Sequence, residues 1–281
     1  MKFSRFVVLH TGWLIVAICI CRLTPAALAQ TGMDQLGSAR SAALALASTA
    51  DLRSTGVHIN PAVPAAQRAS SVTFFARQPF GLAELRHASV AAAIPIRPIF
   101  GHMGAGTYGF DAYRETFLSA GLSGSVPVGT SRPVFVGVDV TYHHLAITSY
   151  GSDAAVAGDA GVLVPLLPVL VFGVHARNVA GASIGGDPLP RSLAVGIQYD
   201  AGDRARILLD VFKDVSHTWS LRGGLEVSPV SVLALRIGAA RHPAIFTTGV
   251  GVHVGPIRAD VAGERHATLG WSPSGSFTLH W

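Results

Sequence analysis

Most of the chain alternates apolar and polar side chains with a period of two, and this pattern constrains the fold more than any other feature. Such a period is typical of β-strands joined by tight turns and differs from the spacing of amphipathic helices. For example, Ile207 and Leu209 share one face, whereas Arg206 and Asp210 share the other. The alternation therefore predicts an all-β chain from residue 70 onward.

Turn-forming residues divide this region into about fourteen segments, whose lengths of about 8 to 12 residues suit a tilted strand crossing a bilayer. The segments lie near 70–77, 85–94, 101–109, 115–125, 133–143, 155–164, 168–177, 191–200, 204–213, 218–228, 231–240, 244–254, 257–265 and 274–281. An even number of strands brings both ends of the sheet to the same side.

The composition indicates that something apolar covers the surface of these strands. Only 13% of the residues are charged, and the mean hydropathy is +0.44, which is unusual for a soluble secreted domain. After the N-terminal region, no apolar run is long enough for a spanning helix, and the nearest one, 161–174, is broken by proline. In lipid, strands satisfy their backbone groups only as a closed barrel. We therefore predict a closed antiparallel transmembrane β-barrel with an apolar exterior and a polar lumen.

The first residues have the layout of a secretory signal peptide. Lys2 and Arg5 give a basic start, an apolar stretch covers 7–20, and Ala27-Leu28-Ala29 forms a small-x-small cleavage site. We expect cleavage after Ala29, so that 1–29 is the signal peptide. A secreted chain that forms a membrane barrel is expected in the bacterial outer membrane, with both termini in the periplasm.

Both cysteines, Cys19 and Cys21, belong to this signal, so the mature chain is expected to have no disulfide, cysteine metal site or thiol nucleophile. Loss of Lys2, Arg5 and Arg22 lowers the basic count from 21 to 18 against 16 acidic residues, a net charge of +2. This balance does not favour a nucleic-acid partner.

The connections predict which end of the barrel is which. Short turns at Ala201-Gly202-Asp203, Ser228-Pro229-Val230 and Gly255-Pro256 alternate with longer connections at 144–154 and 178–190. Short periplasmic turns and longer outer loops are the expected asymmetry of such barrels.

The last segment places Phe277, Leu279 and Trp281 on one face and ends on an aromatic residue. It resembles the recognition strand of outer-membrane assembly machinery, which implies that machinery and outer-membrane lipid as partners.

Between the signal and the first strand, residues 30–69 do not alternate. An Ala-rich stretch over 36–47 favours helix, and Asn60-Pro61 favours a turn. We predict a short helical or irregular plug over 30–69 that sits in the lumen of a barrel formed by 70–281.

Several short motifs carry a family resemblance. They are the small-residue stretch 37–47, Asp51, Asn60-Pro61-Ala62, and the segments 80–85 and 113–116, which look like the loops after the first and third strands. With these motifs the chain resembles the PorV/PorQ group of outer-membrane barrels, relatives of the long-chain fatty-acid transporter (FadL) family. The PorV/PorQ resemblance implies a non-enzymatic accessory or docking component that binds envelope or secretion-complex proteins. The FadL relationship implies the alternative, a passive channel for small hydrophobic molecules in which Asn60, Pro61 and Ala62 shape the plug.

No residue pattern points to a cofactor, a metal or catalysis. His143 and His144 are adjacent strand residues that point to opposite faces, so they cannot chelate a metal together. Gly-x-Ser-x-Gly is absent, and the glycine-rich 101–106 is expected to be strand, not a phosphate cradle. Asp214 with His217, or Glu264 with Arg265 and His266, would be the loop site of a third hypothesis, an outer-membrane hydrolase.

Charges of both signs occupy the predicted inward faces of consecutive strands. We expect them to form a paired structural network in a narrow lumen, because a selective pore more often carries one dominant sign. They are Arg206, Asp210, Arg222, Glu226, Arg236, Arg258, Asp260 and Glu264.

Overall fold

The computed structural model describes residues 37–128 and 132–281, and it shows a closed antiparallel barrel of fourteen strands. The predicted fold class and strand number are confirmed. The predicted signal peptide and residues 30–36 lie outside the described residues. The barrel strands are β1 (Ser71–Arg77), β2 (His87–Ile96), β3 (Ile99–Phe110), β4 (Tyr113–Val126), β5 (Val134–Ile147), β6 (Gly151–Leu167), β7 (Leu170–Arg177), β10 (Ser192–Ala201), β11 (Ala205–Asp214), β12 (Ser220–Val230), β13 (Leu233–Arg241), β14 (Ile245–Val254), β15 (Ile257–His266) and β16 (Gly270–His280), and a small hairpin of β8 (Ser183–Ile184) and β9 (Asp187–Pro188) lies between β7 and β10.

Each barrel strand pairs with its neighbours along the chain, and β1 closes the sheet by pairing with β16. Ser70 and Trp281 extend this closure, since the Ser70 N–H donates to the Trp281 carbonyl at 3.2 Å and the Trp281 N–H donates back at 3.1 Å. Full closure leaves no free sheet edge that could pair with another chain. We call the end of the barrel that holds Ser70 and Trp281 the terminal end, and the other the opposite end.

Connections are short at the terminal end, apart from the one between β4 and β5, and longest at the opposite end, where 78–86 and 178–191 lie. Residues 78–86 contain two short 3-10 helices, Pro79–Gly81 and Ala83–Leu85. The longer connection carries β8 and β9. Its Ile184 and Leu189 pack against Ala157 of β6, so that it covers part of the opposite end.

Three predicted connections are wrong. The loop predicted over His144–Ala154 is mostly strand, because β5 continues to Ile147 and β6 begins at Gly151. Ser228-Pro229-Val230 lies inside β12, where a register shift between Val227 and Val230 accommodates the proline. The segment 113–116 begins β4 and is not a loop.

Large apolar side chains cover the outside of the barrel. Leu118, Val138 and Val261 are 55%, 56% and 62% exposed, and similar residues occur on every barrel strand except β7. A soluble monomer seldom exposes a contiguous apolar surface of this extent. Among the described residues, no helix is long and apolar enough to span a membrane.

Residues 37–69 run inside the barrel, and we call them the plug. Helix α1 (Ala39–Ala43) contacts β13 to β16 and β1, whereas α2 (Val63–Gln67) contacts β2 to β5. The Ser38 side chain caps α1 by accepting from the Ser41 N–H, and proline in the first turn suits the start of α2. Most plug residues are buried although little of the plug is helical.

Candidate functional site

The plug reaches the barrel wall where inward-facing positions are glycine. A side chain at Gly137 would overlap the carbonyl of Pro61, and one at Gly161 would overlap the Asn60 amide. The same holds on other strands, with Gly104 against Val57, Gly173 against Thr49, Gly224 and Gly238 against Leu44, and Gly249 against Ala43. These glycines leave the room that the plug backbone occupies.

Asn60 attaches the plug to two strands. Its buried Nδ2 donates to the carbonyl of Thr49 in the plug at 2.8 Å, and to the carbonyls of Val174 in β7 at 3.1 Å and Val162 in β6 at 3.3 Å. Its Oδ1 accepts from the Ala62 N–H at 3.1 Å, which shapes the turn before α2. Pro61 and Ala62 lie in that turn, so the structure brings the three predicted plug residues together. A ligand-binding role for them stays a prediction.

A buried network of charges joins the plug to the wall. Arg40 donates from Nε and Nη2 to the two carboxylate oxygens of Glu226, at 2.9 and 3.2 Å, and from Nη1 to Asp51. Arg236 donates to Glu226 at 2.6 Å and to Asp260 at 2.8 Å. A bidentate guanidinium–carboxylate pair out of water combines charge with fixed geometry.

The same network continues towards the terminal end. Arg258 approaches Asp260 at 3.3 Å and donates to the hydroxyl of Thr55 in the plug at 3.1 Å. Arg53, which is half-exposed, reaches Glu226 at 3.4 Å. Glu226, Arg236, Arg258 and Asp260, four of the charges predicted for the lumen, therefore lie together.

The plug cations differ in their titration. Burial alone lowers the pKa of Arg40, but the negative charges of Asp51 and Glu226 raise this pKa by more than burial lowers it. The pKa of Arg40 therefore lies above its ordinary value. The pKa of Arg53 is lowered by burial and by the nearby charge of Arg206. Asp51 and Glu226 thus keep the Arg40 guanidinium charged, and we regard this as the strongest ionic contact of the plug.

The other four predicted lumen charges face inward but have different neighbours. Arg206 donates to Asp200 at 2.6 Å, and Arg77 donates to Glu264 at 2.7 Å. Asp210 accepts from the backbone N–H groups of Ser48 and Thr49, each at 2.9 Å, and the Arg222 guanidinium lies 3.8 Å from the Phe212 ring centroid. The expectation of one wall network is therefore too simple.

Sequence reasoning missed Arg40 and Arg53 as members of this site. Their signal was available, because they are charges in an Ala-rich segment predicted to enter the lumen. A charged side chain in such a segment requires a partner inside the barrel.

Histidines cluster on the side of the lumen that lies across from the Arg40–Glu226 charge network. His58 of the plug lies 4.6 Å from the Phe117 ring, and His87 lies 6.2 Å from the same ring. His143 and His175 are also buried. Across residues 37–128 and 132–281, no group of three or more histidine, cysteine or acidic side chains has the arrangement of a metal site.

The structure brings together one of the two candidate acid/base groups and separates the other. Asp214 Oδ1 lies 3.0 Å from His217 Nδ1 and also accepts from the Ser216 N–H. Glu264 faces the lumen, whereas Arg265 lies over the Trp271 ring outside the barrel, so this trio is not brought together. The Asp214–His217 pair can orient an imidazole, which is one part of a hydrolytic site.

The predicted assembly signal lies on the outer surface of β16 and just after it. Phe277, Leu279 and Trp281 are exposed to the outside of the barrel. Their recognition by assembly machinery stays a prediction.

The plug leaves little open space. Among the described residues, cavities between the plug and the wall measure about 20, 30 and 50 Å³. A larger depression of about 350 Å³, lined by Arg53, Arg206 and Asp200 among others, opens at the terminal end.

No family model matches the chain, and no curated protein matches it in sequence. Several solved structures resemble it in fold. A Pseudomonas aeruginosa FadL homologue matches with a TM-score of 0.59 and 10% identity, over 87% of this chain and 97% of that one. The CymD monoaromatic hydrocarbon channel gives 0.54 and 12%, over 78% and 91%. The deltaS2 mutant of the TodX monoaromatic hydrocarbon channel gives 0.53 and 11%, over 79% and 91%.

These likenesses show that the chain has the barrel fold of FadL-type proteins. They agree with the FadL side of the predicted resemblance, while its PorV/PorQ side is not confirmed.

Proposed function

We propose that this protein is an outer-membrane channel for small hydrophobic molecules whose lumen is closed by its own N-terminal plug. The observation that carries the proposal is a plug attached to the wall by a small number of buried polar groups, above all Arg40 and Asn60. The fold is that of channels named for monoaromatic hydrocarbons, which favours transport over the accessory or docking role predicted from the PorV/PorQ resemblance.

The distribution of polarity supports the location in a membrane. Between its two ends the wall is apolar outside and carries its charges inside, which is the arrangement of transmembrane barrels. A periplasmic terminal end would follow the usual asymmetry of such barrels, with the longer 78–86 and 178–191 connections outside the cell.

Passage of a ligand requires the plug to move. A cavity of roughly 150 Å³ can hold benzene. The internal cavities, at about 20 to 50 Å³, are too small for such a molecule. We therefore propose that the structure is the closed state, and that release of the plug from β12 and from β6 and β7 opens a path.

The channels among the matched structures do not suggest catalysis, and we propose a non-enzymatic role. Within residues 37–128 and 132–281, the Asp214–His217 pair is the arrangement that favours the hydrolase hypothesis. Esterase activity that survives purification and is lost in Asp214→Asn would revive that hypothesis.

The test is uptake of labelled toluene and of a labelled fatty acid by intact cells with a lipopolysaccharide outer leaflet, which small hydrophobic molecules cross slowly unaided. Cells that produce the protein should take up at least one probe faster than cells with an empty vector. A variant lacking residues 30–66 should take it up faster still. Heat-modifiable migration in gels verifies that each barrel is folded.

Uptake equal to the empty vector for the intact protein, for the deletion and for Arg40→Met would overturn the channel proposal and leave the docking role. Arg40→Met serves as the second variant because it keeps the full chain.

A further inference from the structure

The outer face of β11 to β16 carries a row of cationic and aromatic side chains at the opposite end of the barrel. Each member lies within one residue of a strand terminus and points away from the lumen. The rim row consists of Lys213, Trp219, Arg241, Phe246, Arg265 and Trp271.

The strand register sets most members of the rim row directly beside another member, whereas Arg241 pairs with Leu221 and lies one residue beyond the Ala240–Ile245 pair. Arg265 is paired with Phe246 on one side and with Trp271 on the other, and its guanidinium lies 5.9 Å from the Trp271 ring centroid. Pairing of Phe212 with Ser220 sets Lys213 beside Trp219. Cations and aromatic rings thus follow one another across six consecutive strands.

No carboxylate balances these cations on the same face. The stretch 205–280 contains five acidic residues, and every one of them is buried on the inside of the barrel or beneath a loop. They are Asp210, Asp214, Glu226, Asp260 and Glu264. The outer surface of β11 to β16 therefore has positive charge without negative charge.

Exposed cations also occur elsewhere at both ends, with Arg86 and Arg191 at the opposite end and Arg68 and Arg97 near the terminal end. At the terminal end of the same strands, the exposed cation is Arg204, which donates to the Pro229 carbonyl at 3.3 Å. On the other half of the opposite end, Arg114 is already paired with Asp111 at 2.9 Å. Lys213 likewise donates to a carbonyl, that of His217, so the alternation with aromatic rings is what separates the rim row from these other surface cations.

We propose that the rim row binds the phosphate groups of a phosphorylated glycolipid of the lipopolysaccharide type in the outer leaflet. Aromatic side chains on the outer face of a membrane barrel mark the headgroup level, where Lys and Arg gain from nearby lipid phosphates. A phosphomonoester carries about −1.5 to −2 charges near neutral pH, more than the single charge of a phosphodiester, which suits a surface with a cation on every second strand. The inference rests on the outer-membrane location proposed above, but not on channel activity.

The experiment measures lipid retained by the full mature protein in native mass spectrometry after titration with bisphosphorylated lipid A in detergent. The test variant is Lys213→Gln/Arg241→Gln/Arg265→Gln. The matched control removes three exposed cations near the terminal end, Arg68→Gln/Arg97→Gln/Arg204→Gln. Dephosphorylated lipid A and phosphatidylglycerol are the ligand controls, and heat-modifiable migration reports folding.

We expect the test variant to bind lipid A about tenfold more weakly or worse, and the control variant to bind as the unaltered protein does. We also expect dephosphorylated lipid A and phosphatidylglycerol to bind the unaltered protein about tenfold more weakly. Equal binding by the test variant, an equal loss in the control variant, or equal binding of phosphatidylglycerol would each overturn the proposal. Transport is not measured, so failure of the channel proposal would not alter the result.

Discussion

Arg40 is the plug residue whose side chain enters the lumen network most deeply. It is buried and shares its guanidinium between Asp51 of the plug and Glu226 of β12. Removing one member of a buried ion network leaves charge without compensation, which costs far more than the intact pair contributes. The attachment of the plug is therefore most sensitive at this one side chain.

We predict that Arg40→Met destabilises the plugged state by about 3 to 5 kcal/mol, because Asp51 and Glu226 lose a shared cation. The measurement is maleimide labelling of Ala47→Cys, a buried position in a mature chain expected to have no other thiol. Labelling should become much faster in Arg40→Met than in Arg68→Met, which removes an exposed cation. Similar rates in the two variants would show that the network does not hold the plug.

We expect His58 to make the attachment of the plug sensitive to pH. Burial lowers the pKa of His58 well below its ordinary value, and the charge of Arg177 and the facing histidines His143, His87 and His175 lower it further. The imidazole is therefore neutral inside the barrel but takes up a proton near its ordinary pKa when the plug is released. The contribution to stability is complete above about pH 6.5 and decreases as the pH falls below that value.

We accordingly predict faster labelling of Ala47→Cys as the pH is lowered from about 7.5 to about 5, after correction for thiolate content. His58→Gln keeps a polar side chain that does not titrate and should make this pH dependence shallower. An identical pH profile in both proteins would remove His58 as its source.

At the scale of elements, the wall decides the conformation of the plug. The Ala-rich 36–47 has the composition of a helix, yet α1 ends at Ala43, and Ala45 and Leu46 have left-handed φ angles of 53° and 62°. Thr247 of β14 explains the break, because its hydroxyl donates to the Ala43 carbonyl at 2.8 Å and accepts from the Ala45 N–H at 3.1 Å. Helix propensity is a weak preference that such contacts overcome.

We predict that Gly137→Ala displaces α2 from the wall, because the added methyl group would overlap the Pro61 carbonyl. The matched control is Gly275→Ala, where the nearest atom, the Asp260 carbonyl oxygen, lies 3.9 Å from the added carbon. Gly137→Ala should raise labelling of a cysteine at Ala62, which is fully buried, whereas Gly275→Ala should not. Unchanged labelling in Gly137→Ala would mean that the plug does not depend on this close approach.

The strands illustrate what a sequence can and cannot reveal. Period-two alternation located all fourteen barrel strands, since the inward and outward faces differ in polarity. It failed over 144–154, where Ser152, Ala154 and Ala155 give neither face a distinct polarity. The same alternation predicted correctly that the side chains of the lumen charges point inward. Their partners were not, because Arg40 meets Glu226 across 186 positions of sequence.

At the scale of the whole molecule, the barrel and the plug form one closed body. The wall has no free edge, and its exterior is mostly apolar. Cavities of about 20 to 50 Å³ lie between the plug and the wall, and a depression of about 350 Å³ opens at the terminal end. If the plug cannot move, the lumen stays blocked and the protein can serve only as a membrane anchor. If the plug can be released, the protein can act as a channel. Transport through the barrel depends on a plug that can be released.

A reversible disulfide between the plug and the wall tests this dependence most directly. The hydroxyls of Thr55 in the plug and Thr278 in β16 lie 3.5 Å apart, so we expect cysteines at both positions to form a disulfide. Uptake of labelled toluene or fatty acid by cells that carry Thr55→Cys/Thr278→Cys is compared before and after reduction, with Thr55→Ser/Thr278→Ser as the control. We predict that the oxidised protein transports no faster than the empty vector and that reduction restores uptake. Equal uptake in the oxidised and reduced states would contradict a plug that moves to open the lumen.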